Sequence, residues 1–506
     1  MSKFILAHDL GTTGNKATLY NEHGQLLNSC LSEYETHYSE KNQVEQNPAD
    51  WWRAVCKSTK ELVANSKIDK NQVAVISFSG QMMGCLPVDR EGIPLRNSII
   101  WADQRSVQQA EVLNDLLGMD KVYNITGHRI SSTYSLAKIM WVKENEPQIY
   151  KNTHRFLHAK DFIVCKLTGE FVTDYSDASG MNLFDLNDRS WSQEIIEKAE
   201  IHRSKLPEVR PSSKIIGEIS SCVADEIGLE AGTPVVIGAG DGACATVGAG
   251  VIEEGSAYNY IGSSSWIAMS SQKPVLDADH KTFNWIHMDP DKFIPCGTMQ
   301  SAGASYSWLR DNICIEEKEL GKKLEIDSYD LMNLQVEKSE PTAHNLIFLP
   351  YLMGERSPHW NPEARGAFIG LSMKHDRSDI IRSVMEGVTF NLKIICDIIE
   401  KNQTFKKIRV IGGGAKSQTW CKIMADIYNK TVLKPCILEE ATSLGAAVAG
   451  GIGAGIFGGY DTVKEINKIQ DKITPEKSRV EKYREFFPVF KKSYQALCDV
   501  YSEIAE

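Results

Sequence analysis

The sequence predicts two related α/β domains that face one another across a cleft. The same design, a strand, a tip of small residues and a second strand, occurs at residues 4–20 and again at residues 256–269. Segments with helical patterns follow each copy, and such a duplication is typical of paired α/β domains. With 506 residues, the chain is long enough for two domains of roughly 250 residues each.

Composition indicates a folded protein whose partner is a small molecule. Hydrophobic residues make up 42% of the chain and charged residues 24%, which are ordinary values for a globular protein. The net charge of -10, without a polybasic block, argues against binding to nucleic acid or to an anionic membrane. The sequence does not fix the oligomeric state, and a homodimer stays open.

The cysteines and the N-terminus favour a cytoplasmic protein. The 12 cysteines contain no Cys-x-x-Cys pair, which argues against a zinc or redox site and fits reduced thiols. The N-terminal apolar run reaches Asp9 before a signal-peptide core is complete. Residues 441–460 have about the length of a membrane span but are poor in Leu, Ile and Phe, so we expect a helix packed closely against a neighbour.

The first repeat opens the chain. Residues 4–10 predict an apolar strand, residues 11–14 (Gly-Thr-Thr-Gly) a turn and residues 15–20 a second strand. Because this glycine turn leads into a strand and not a helix, P-loop and dinucleotide folds are disfavoured. The N–H groups of such a tip can bind phosphate, with Lys16 as an added cation and Asp9 holding Mg2+ through water. A plain Gly-Thr hairpin is the alternative.

Polar side chains follow the next predicted strand. Residues 73–78 form that strand, and residues 79–84 (Ser-Gly-Gln-Met-Met-Gly) come just beyond its carboxyl end, where ligands of α/β sheets bind. Further on, a period of two would place Trp101, Asp103 and Arg105 on one face. Asp103 could then bind sugar hydroxyls or simply pair with Arg105.

A carboxylate in an apolar, glycine-rich setting lies near the middle of the chain. Residues 235–237 are a β-branched run, and the glycines after it flank Asp241. Burying even a neutral polar group without a partner costs on the order of 2–7 kcal/mol, so Asp241 has a partner or faces a cleft. Gly238, Gly240 and Ala243 also match a dinucleotide fingerprint loosely, and a tight strand-to-helix turn is the plainer interpretation.

The second half repeats the small-residue tip and adds a glycine-rich turn. Residues 262–265 (Gly-Ser-Ser-Ser) form the second tip, so each half holds one candidate phosphate site. The helix that starts near residue 300 begins with small residues, which let a ligand or another backbone come close. Residues 407–417 predict a strand, a triple-glycine turn and a helix start; this turn could cover a purine or only reverse the chain.

Six motifs, taken in order, resemble those of the FGGY carbohydrate kinases, and the xylulokinase branch fits best. They are residues 9–14 (Asp-Leu-Gly-Thr-Thr-Gly), 79–82 (Ser-Gly-Gln-Met), 101–105 (Trp-Ala-Asp-Gln-Arg), 240–242 (Gly-Asp-Gly), 351–356 (Tyr-Leu-Met-Gly-Glu-Arg) and 412–417 (Gly-Gly-Gly-Ala-Lys-Ser). The match extends from the first strand to at least residue 450, so it is far more specific than any single glycine motif.

The resemblance implies a duplicated actin-like fold of the RNase H type (ASKHA), with an interdomain catalytic cleft. Residues 1–250 would form the N-terminal domain on the sugar side, and residues 251–506 the C-terminal domain on the nucleotide side. The implied activity is phosphorylation of a sugar or polyol hydroxyl by Mg-ATP, with Asp241 at the position of the family's catalytic base.

Together with Lys16 and Asp9 from the first tip, the resemblance completes a set of candidate site residues. For the nucleotide they are Gly11, Thr12, Thr13, Lys16, Gly262, Ser263, Ser264, Gly303, Ser307, Gly413, Gly414 and Gln418; for the sugar they are Gln81, Met82, Met83, Asp103 and Asp241; for the metal the candidate is Asp9.

One departure from the family pattern concerns the substrate. Xylulokinases typically read Ser-Gly-Gln-Met-His, and that histidine contacts the sugar, whereas this chain has Met83. A thioether cannot donate a hydrogen bond as imidazole does, which puts D-xylulose itself in doubt. A kinase for another ketose, a polyol or gluconate is the alternative within the family.

Two other classes of protein stay open on sequence alone. An actin-like or Hsp70-like ATP-driven binding protein would share both hairpin tips, although no separate C-terminal partner-binding domain is evident. A nicotinamide oxidoreductase would rest on residues 238–243 only.

Overall fold

Two mixed β-sheets of matching topology organise the chain. The computed structural model describes residues 3–39, 42–401 and 403–504. The first sheet contains β1 (Phe4–Leu10), β2 (Gly14–Asn21), β3 (Leu26–Glu33), β4 (Val73–Gly80), β5 (Ile215–Glu218) and β6 (Pro234–Gly240). The second contains β7 (Ala257–Ile261), β8 (Ser265–Met269), β9 (Phe283–Ile286), β10 (Phe293–Met299), β11 (Lys407–Ile411), β12 (Thr431–Pro435) and β13 (Ile469–Ile473).

The strand order of the first sheet recurs in the second. In the first, β3–β2–β1 is an antiparallel meander, β1, β4 and β6 are parallel neighbours, and β5 is antiparallel to β6. In the second, β10–β8–β7 is the meander, β7, β11 and β12 are parallel neighbours, and β13 is antiparallel to β12. Strand β9 extends the second sheet beyond β10. The predicted duplication of an α/β unit is therefore confirmed.

Helices connect and cover these strands. In the first half they are α1 (Pro48–Ser66), α2 (Val107–Leu117), α3 (Met119–Thr126), α4 (Ser135–Asn145), α5 (Pro147–Asn152), α6 (Ala159–Thr168), α7 (Tyr175–Ser179), α8 (Gln193–Lys198), α9 (Ser221–Ile227) and α10 (Asp241–Gly248). In the second half they are α11 (Gly303–Asn312), α12 (Ile315–Leu324), α13 (Ser328–Val336), α14 (Arg377–Ile399), α15 (Gln418–Tyr428), α16 (Ala441–Gly453), α17 (Thr462–Ile466) and α18 (Lys477–Ile504). Among the described residues, no helix is both long enough and apolar enough to span a bilayer.

Short strand pairs brace the loops. Val44–Gln46 pairs with His37–Tyr38 and with Ser98–Ile99. The other pairs are Leu86–Val88 with Arg155–Leu157, Val172–Asp174 with Glu208–Arg210, Phe184–Asp185 with Ser190–Trp191, and Ile347–Leu349 with Ala367–Ile369.

Helix α16 belongs to the second half of the chain but packs against α10 and the first sheet. A Cβ atom on Gly445 would lie 2.0 Å from the Cys244 carbonyl oxygen, and one on Gly248 would lie 1.7 Å from the Ala441 carbonyl oxygen. Glycine at both positions is therefore what lets the two helix backbones touch. This confirms the predicted close-packed helix after residue 441, and it fixes the helix that begins with Asp241.

Candidate functional site

A cavity of about 400 Å³ lies where the two sheets face one another. Its walls come from both halves: Asp9 and the first tip on one side, the second tip on the other, and the start of α10. Eight of the residues predicted for the site line it, namely Asp9, Gly11, Thr12, Met82, Met83, Asp241, Ser263 and Ser264. The sequence repeats thus converge on a single cleft.

The two hairpin tips carry the same pattern of unused backbone donors. The N–H of Gly11 closes the first turn on the Gly14 carbonyl at 3.0 Å, and the N–H of Gly262 closes the second on the Ser264 carbonyl at 2.9 Å. The N–H groups of Thr12, Thr13, Ser263 and Ser264 donate to no acceptor in the described part of the chain. Neighbouring free N–H groups of this kind suit the oxygens of a phosphate chain.

Asp241 is the first residue of α10 and follows β6 directly. Its Oδ1 accepts a hydrogen bond from the Gly242 N–H at 2.7 Å. Burial, together with the negative charges of Asp9 and Asp177, raises the pKa of Asp241 to about 7, against the opposing effects of the Gly242 N–H and Arg356. A carboxylate with a pKa near neutrality, in a cavity, is suited to accept a proton.

The glycines before Asp241 serve backbone packing. Gly238 has φ of +70°, lies at an irregularity in the pairing of β6 with β4, and a Cβ there would lie 1.7 Å from the Phe78 carbonyl oxygen. A Cβ on Gly240 would lie 2.6 Å from the Met82 sulfur. Both glycines are explained by these close approaches, so the tight strand-to-helix turn is the better interpretation of the motif.

Asp9 lies at the end of β1 beside the first tip. Its Oδ1 is buried and accepts no hydrogen bond within the described residues. Burial raises the pKa of Asp9, while Ser79 and Lys16 oppose the rise. Lys16 pairs with Glu440 at 3.5 Å, which links the two halves beside the cavity. An orphaned carboxylate oxygen next to two phosphate-sized tips fits a hydrated divalent cation.

Of the residues predicted to contact the sugar, some line the cavity and others lie buried beside it. Met82 and Met83 line the cavity, and Met83 adopts φ of +63°. Gln81 is buried beside them and donates from Nε2 to the Gln46 side chain at 2.7 Å. The segment after β4 therefore reaches the cavity through two methionines, at the carboxyl end of a parallel strand as expected, while the polar Gln81 is buried and bonded to Gln46.

Asp103 is buried away from the cavity wall, and the predicted alternation around it is wrong. The strand ends with Ser98–Ile99, and residues 101–105 form an irregular turn. Asp103 accepts from the Val44 N–H and from the Arg105 guanidinium, with the closest Arg105 nitrogen at 2.8 Å. Of the two interpretations of Asp103, the structure shows the pairing with Arg105; a contact with sugar stays a prediction.

The residues predicted for the nucleoside lie on the second-half side. The N–H of Gly303 donates to the Gly262 carbonyl at 2.9 Å, so the start of α11 rests on the second tip. Ser307 forms a hydrogen bond with Tyr329 at 2.8 Å. Among the residues that the structure describes, none has an atom within 4 Å of a Cβ added to Gly413, whereas a Cβ on Gly414 would collide with Ile261. The triple-glycine turn is thus packed at Gly414 and open at Gly413, and Gln418 is exposed at the start of α15.

An aromatic wall and one arginine of the cavity were missed by the sequence reasoning. The lining includes Trp101, Tyr134, Tyr258, Tyr260, Trp266, Phe283, Trp285, Trp360 and Arg356. Arg356 ends a motif that the sequence singled out, so its motif was a usable signal. Tyr258 and Tyr260 lie two residues apart on β7, and Phe283 and Trp285 lie two residues apart on β9, so strand spacing was a usable signal for these pairs. The remaining aromatics, Trp101, Tyr134, Trp266 and Trp360, share no spacing along the chain.

A buried ion cluster lies behind Asp241. The Lys160 ammonium lies 2.7 Å from Asp161 and 3.0 Å from each of Asp174 and Asp177. Ser176 donates to Asp174 at 2.6 Å and accepts from the Gly240 N–H at 2.9 Å. The cluster therefore connects to the residue that precedes Asp241. The ammonium already lies among these carboxylates, so we assign no metal there.

The duplicated sheets and the cleft define a protein of the actin-like (ASKHA) class. Family models of the FGGY carbohydrate kinases match residues 4–248 with the N-terminal domain and residues 257–454 with the C-terminal domain. The chain belongs to the FGGY family of carbohydrate kinases and is a phosphotransferase.

Relatives at similar distances carry different substrate names. The chain is 32% identical over 494 residues to a xylulose kinase of Bacillus subtilis, covering 97% of both chains. It is also 32% identical over 507 residues to a gluconokinase of Bacillus licheniformis, covering 100% of this chain and 98% of that one.

Solved structures show the same division. A ligand-bound xylulose kinase from Lactobacillus acidophilus gives a TM-score of 0.91 at 25% identity, covering 99% of both chains. A gluconate kinase from the same organism also gives 0.91 at 25% identity, covering 99% of this chain and 100% of that one. Membership of the family decides against the ATP-driven binding protein and the nicotinamide oxidoreductase; the acceptor is left unresolved.

Proposed function

We propose that the protein transfers the γ-phosphoryl group of ATP to a hydroxyl of a sugar, polyol or aldonate, with Asp241 as the general base. The observation that carries the proposal is one cavity bounded by both hairpin tips and by a carboxylate whose pKa is raised to about 7. ATP use follows from the family, while the residue roles are our assignment. The cytoplasmic location, the domain boundaries and the homodimer remain predictions.

The chemistry is a direct displacement at phosphorus. The acceptor oxygen forms a bond to the γ-phosphorus as the bond to the bridging oxygen of ADP breaks, and Asp241 takes the hydroxyl proton. General-base assistance contributes typically about 10²–10⁴-fold, so positioning and charge neutralisation supply the rest of the acceleration. Because Asp241 begins a helix locked to α16, its position is set by two backbones in contact.

The phosphates are proposed to lie between the tips. The free N–H groups of Thr12, Thr13, Ser263 and Ser264 then donate to phosphate oxygens. Lys16 would leave Glu440, its partner at 3.5 Å, to add a positive charge. Asp9 would hold Mg2+ through water, and the ion would neutralise phosphate charge when bound.

The nucleoside is proposed to lie against the open side of the triple-glycine turn. Gly413 leaves open space where a side chain would project. Ser307 lies one turn into α11, the helix that begins with Gly303. Gly303 and Gly414 act indirectly in this assignment, because their missing side chains let the second tip and β7 pack closely.

The decisive experiment is a screen of ADP release with purified protein, Mg-ATP and single acceptors. Ketopentoses, ketohexoses, polyols and aldonates form the panel, and an acceptor-free sample measures the background ATPase rate. We expect one acceptor class to raise ADP release at least about tenfold over that background. ADP release that no member of the panel stimulates would contradict the proposal.

A further inference from the structure

Arg356 is a cation of the cavity wall that has no protein counter-ion. Its guanidinium lines the cavity and stacks over Trp101 at 5.4 Å from the ring centroid. The Nε atom is buried and donates to no acceptor, and no carboxylate lies within ion-pair distance of Arg356 in the described chain. A half-buried guanidinium whose Nε is fully buried and unpaired is costly, so a missing anionic partner is the natural explanation.

The adjacent Glu355 does not fill that role. One oxygen of its carboxyl accepts from the backbone N–H groups of Gln300 at 2.7 Å and Arg356 at 2.8 Å, and the other accepts from Asn391 at 2.9 Å. Burial raises the pKa of Glu355 to about 8, so this carboxyl is largely neutral at pH 7. Asp241 attracts Arg356 across the cavity but forms no ion pair with it.

Two further basic side chains lie behind residues that line the same cavity. Arg129 lies over the ring of Trp360 at 4.5 Å, and Trp360 lines the cavity. The fully buried Lys138 donates to the carbonyl oxygens of Met83, at 3.1 Å, and Thr133, both cavity residues. Neither Arg129 nor Lys138 forms an ion pair with any residue that the structure describes.

Other buried basic side chains in the first half of the chain do have carboxylate partners. Arg105 pairs with both Asp103 and Glu45, and Lys160 pairs with three carboxylates. Arg356 and Arg129 are therefore two guanidinium groups without a carboxylate partner among the described residues, packed on Trp101 and Trp360 of the cavity wall. Burial lowers the pKa of Lys138 to about 7, so this side chain adds only part of a positive charge behind Met83. Asp9 and Asp241 do not balance this positive charge, because Asp9 is assigned to the metal and Asp241 to the proton of the acceptor.

We propose that Arg356 and Arg129 form a subsite for the carboxylate of a sugar acid, so that the preferred acceptor is an aldonate or a related polyhydroxy acid. Arg356 binds the carboxylate within the cavity, and Arg129 reinforces it from behind Trp360. This inference rests on the proposed function, because it names the acceptor of that reaction. Guanidinium groups bind carboxylates by paired, charge-assisted hydrogen bonds, which gives selectivity over a neutral hydroxymethyl group.

The test compares matched acceptors that differ only in the charged end. D-gluconate is measured against D-glucitol, and D-xylonate against xylitol, with ADP release as the assay. We expect kcat/KM for each acid to exceed that for its polyol by at least about tenfold, the size of one charge-assisted hydrogen bond. Arg129→Gln should lower kcat/KM for the acid by about 10- to 100-fold, leaving the polyol within about twofold.

Controls separate this subsite from other roles of the arginines. Arg53→Gln, an exposed position on α1, should leave both acceptors unchanged. Calorimetric titration of D-gluconate into wild type and Arg129→Gln gives a reading that does not need turnover, and the variant should bind more weakly. An Arg356→Gln variant that raises the KM for ATP and slows all acceptors equally would assign Arg356 to the phosphates and overturn the subsite.

Failure of this inference is distinguishable from failure of the proposed function. Turnover of neutral ketoses or polyols in preference to acids, unaffected by Arg129→Gln, overturns the carboxylate subsite and leaves the kinase assignment intact. If no acceptor of the panel stimulates ADP release, the proposed function is contradicted. If gluconate then also binds equally well to wild type and to Arg129→Gln, the subsite is overturned as well.

Discussion

Replacement of Asp241 by asparagine separates the catalytic role of this carboxylate from its effect on stability. Asn keeps the size of the side chain and can still accept the Gly242 N–H, but it cannot take a proton from the acceptor. We expect kcat to fall by about 10²–10⁴-fold, the usual contribution of a general base. The KM for ATP should change little, because the N–H groups of the two tips remain in place.

The same variant should be more stable than wild type at alkaline pH. Folding raises the pKa of Asp241 from 3.8 to about 7, so the folded state binds a proton that the unfolded state has lost between these values. Stability therefore decreases as the pH rises from about 4 to 7, and the full cost persists above pH 7. A shift of three pKa units corresponds to about 4 kcal/mol, an upper bound for a side chain that borders a cavity.

Thermal unfolding of wild type and Asp241→Asn at several pH values between 4 and 9 measures this difference. The variant should melt several degrees higher at pH 8, and the gap should shrink to little at pH 4, where the carboxyl is protonated in the folded protein. Turnover of wild type should also decline below about pH 7, as the base becomes protonated. A near-native kcat for the variant would exclude Asp241 as the general base, and a melting difference that does not depend on pH would show that its carboxyl does not carry the raised pKa.

Three further substitutions test the surroundings of Asp241. Gly445→Ala places a Cβ 2.0 Å from the Cys244 carbonyl oxygen, so we expect a lower melting temperature and a lower kcat together; an unchanged variant would mean that the helices do not depend on this contact. Met83→His should increase kcat/KM for D-xylulose relative to other acceptors, since histidine tolerates the φ of +63° and restores a donor; an unchanged substrate profile removes Met83 from the specificity argument. Ser176→Ala leaves the Gly240 N–H without its partner at 2.9 Å and should reduce kcat about three- to tenfold with little change in KM; equal kcat would contradict a positioning role.

Much of the fold could be predicted because its signals are local. The two tips are marked by small residues between apolar strands, at residues 11–14 and 262–265, and both turns lie within these ranges in the structure. The order of motifs then indicated the family. The packing of α16 on the first sheet is nonlocal, since only the fold brings Gly445 to Cys244.

The site was predicted less completely, for reasons that lie in single residues. Asp241 stood out because a carboxylate is unusual among glycines. Trp101 was expected on a strand face, but the strand ends at Ile99 and the turn brings its indole N–H to the Thr12 hydroxyl at 3.0 Å. The lack of a counter-ion for Arg356 is a property of its three-dimensional surroundings, and no pattern in the sequence announces it.

Both tips and Asp241 are proposed to act on one phosphoryl transfer. A crystal structure of Asp241→Asn with ATP, Mg2+ and the acceptor identified by the screen would show whether they do. We expect the γ-phosphate to lie against the N–H groups of Thr12, Thr13, Ser263 and Ser264, with an acceptor hydroxyl about 2.6–3.2 Å from the side chain of residue 241. A phosphate chain bound away from either tip, or an acceptor out of reach of residue 241, would contradict it.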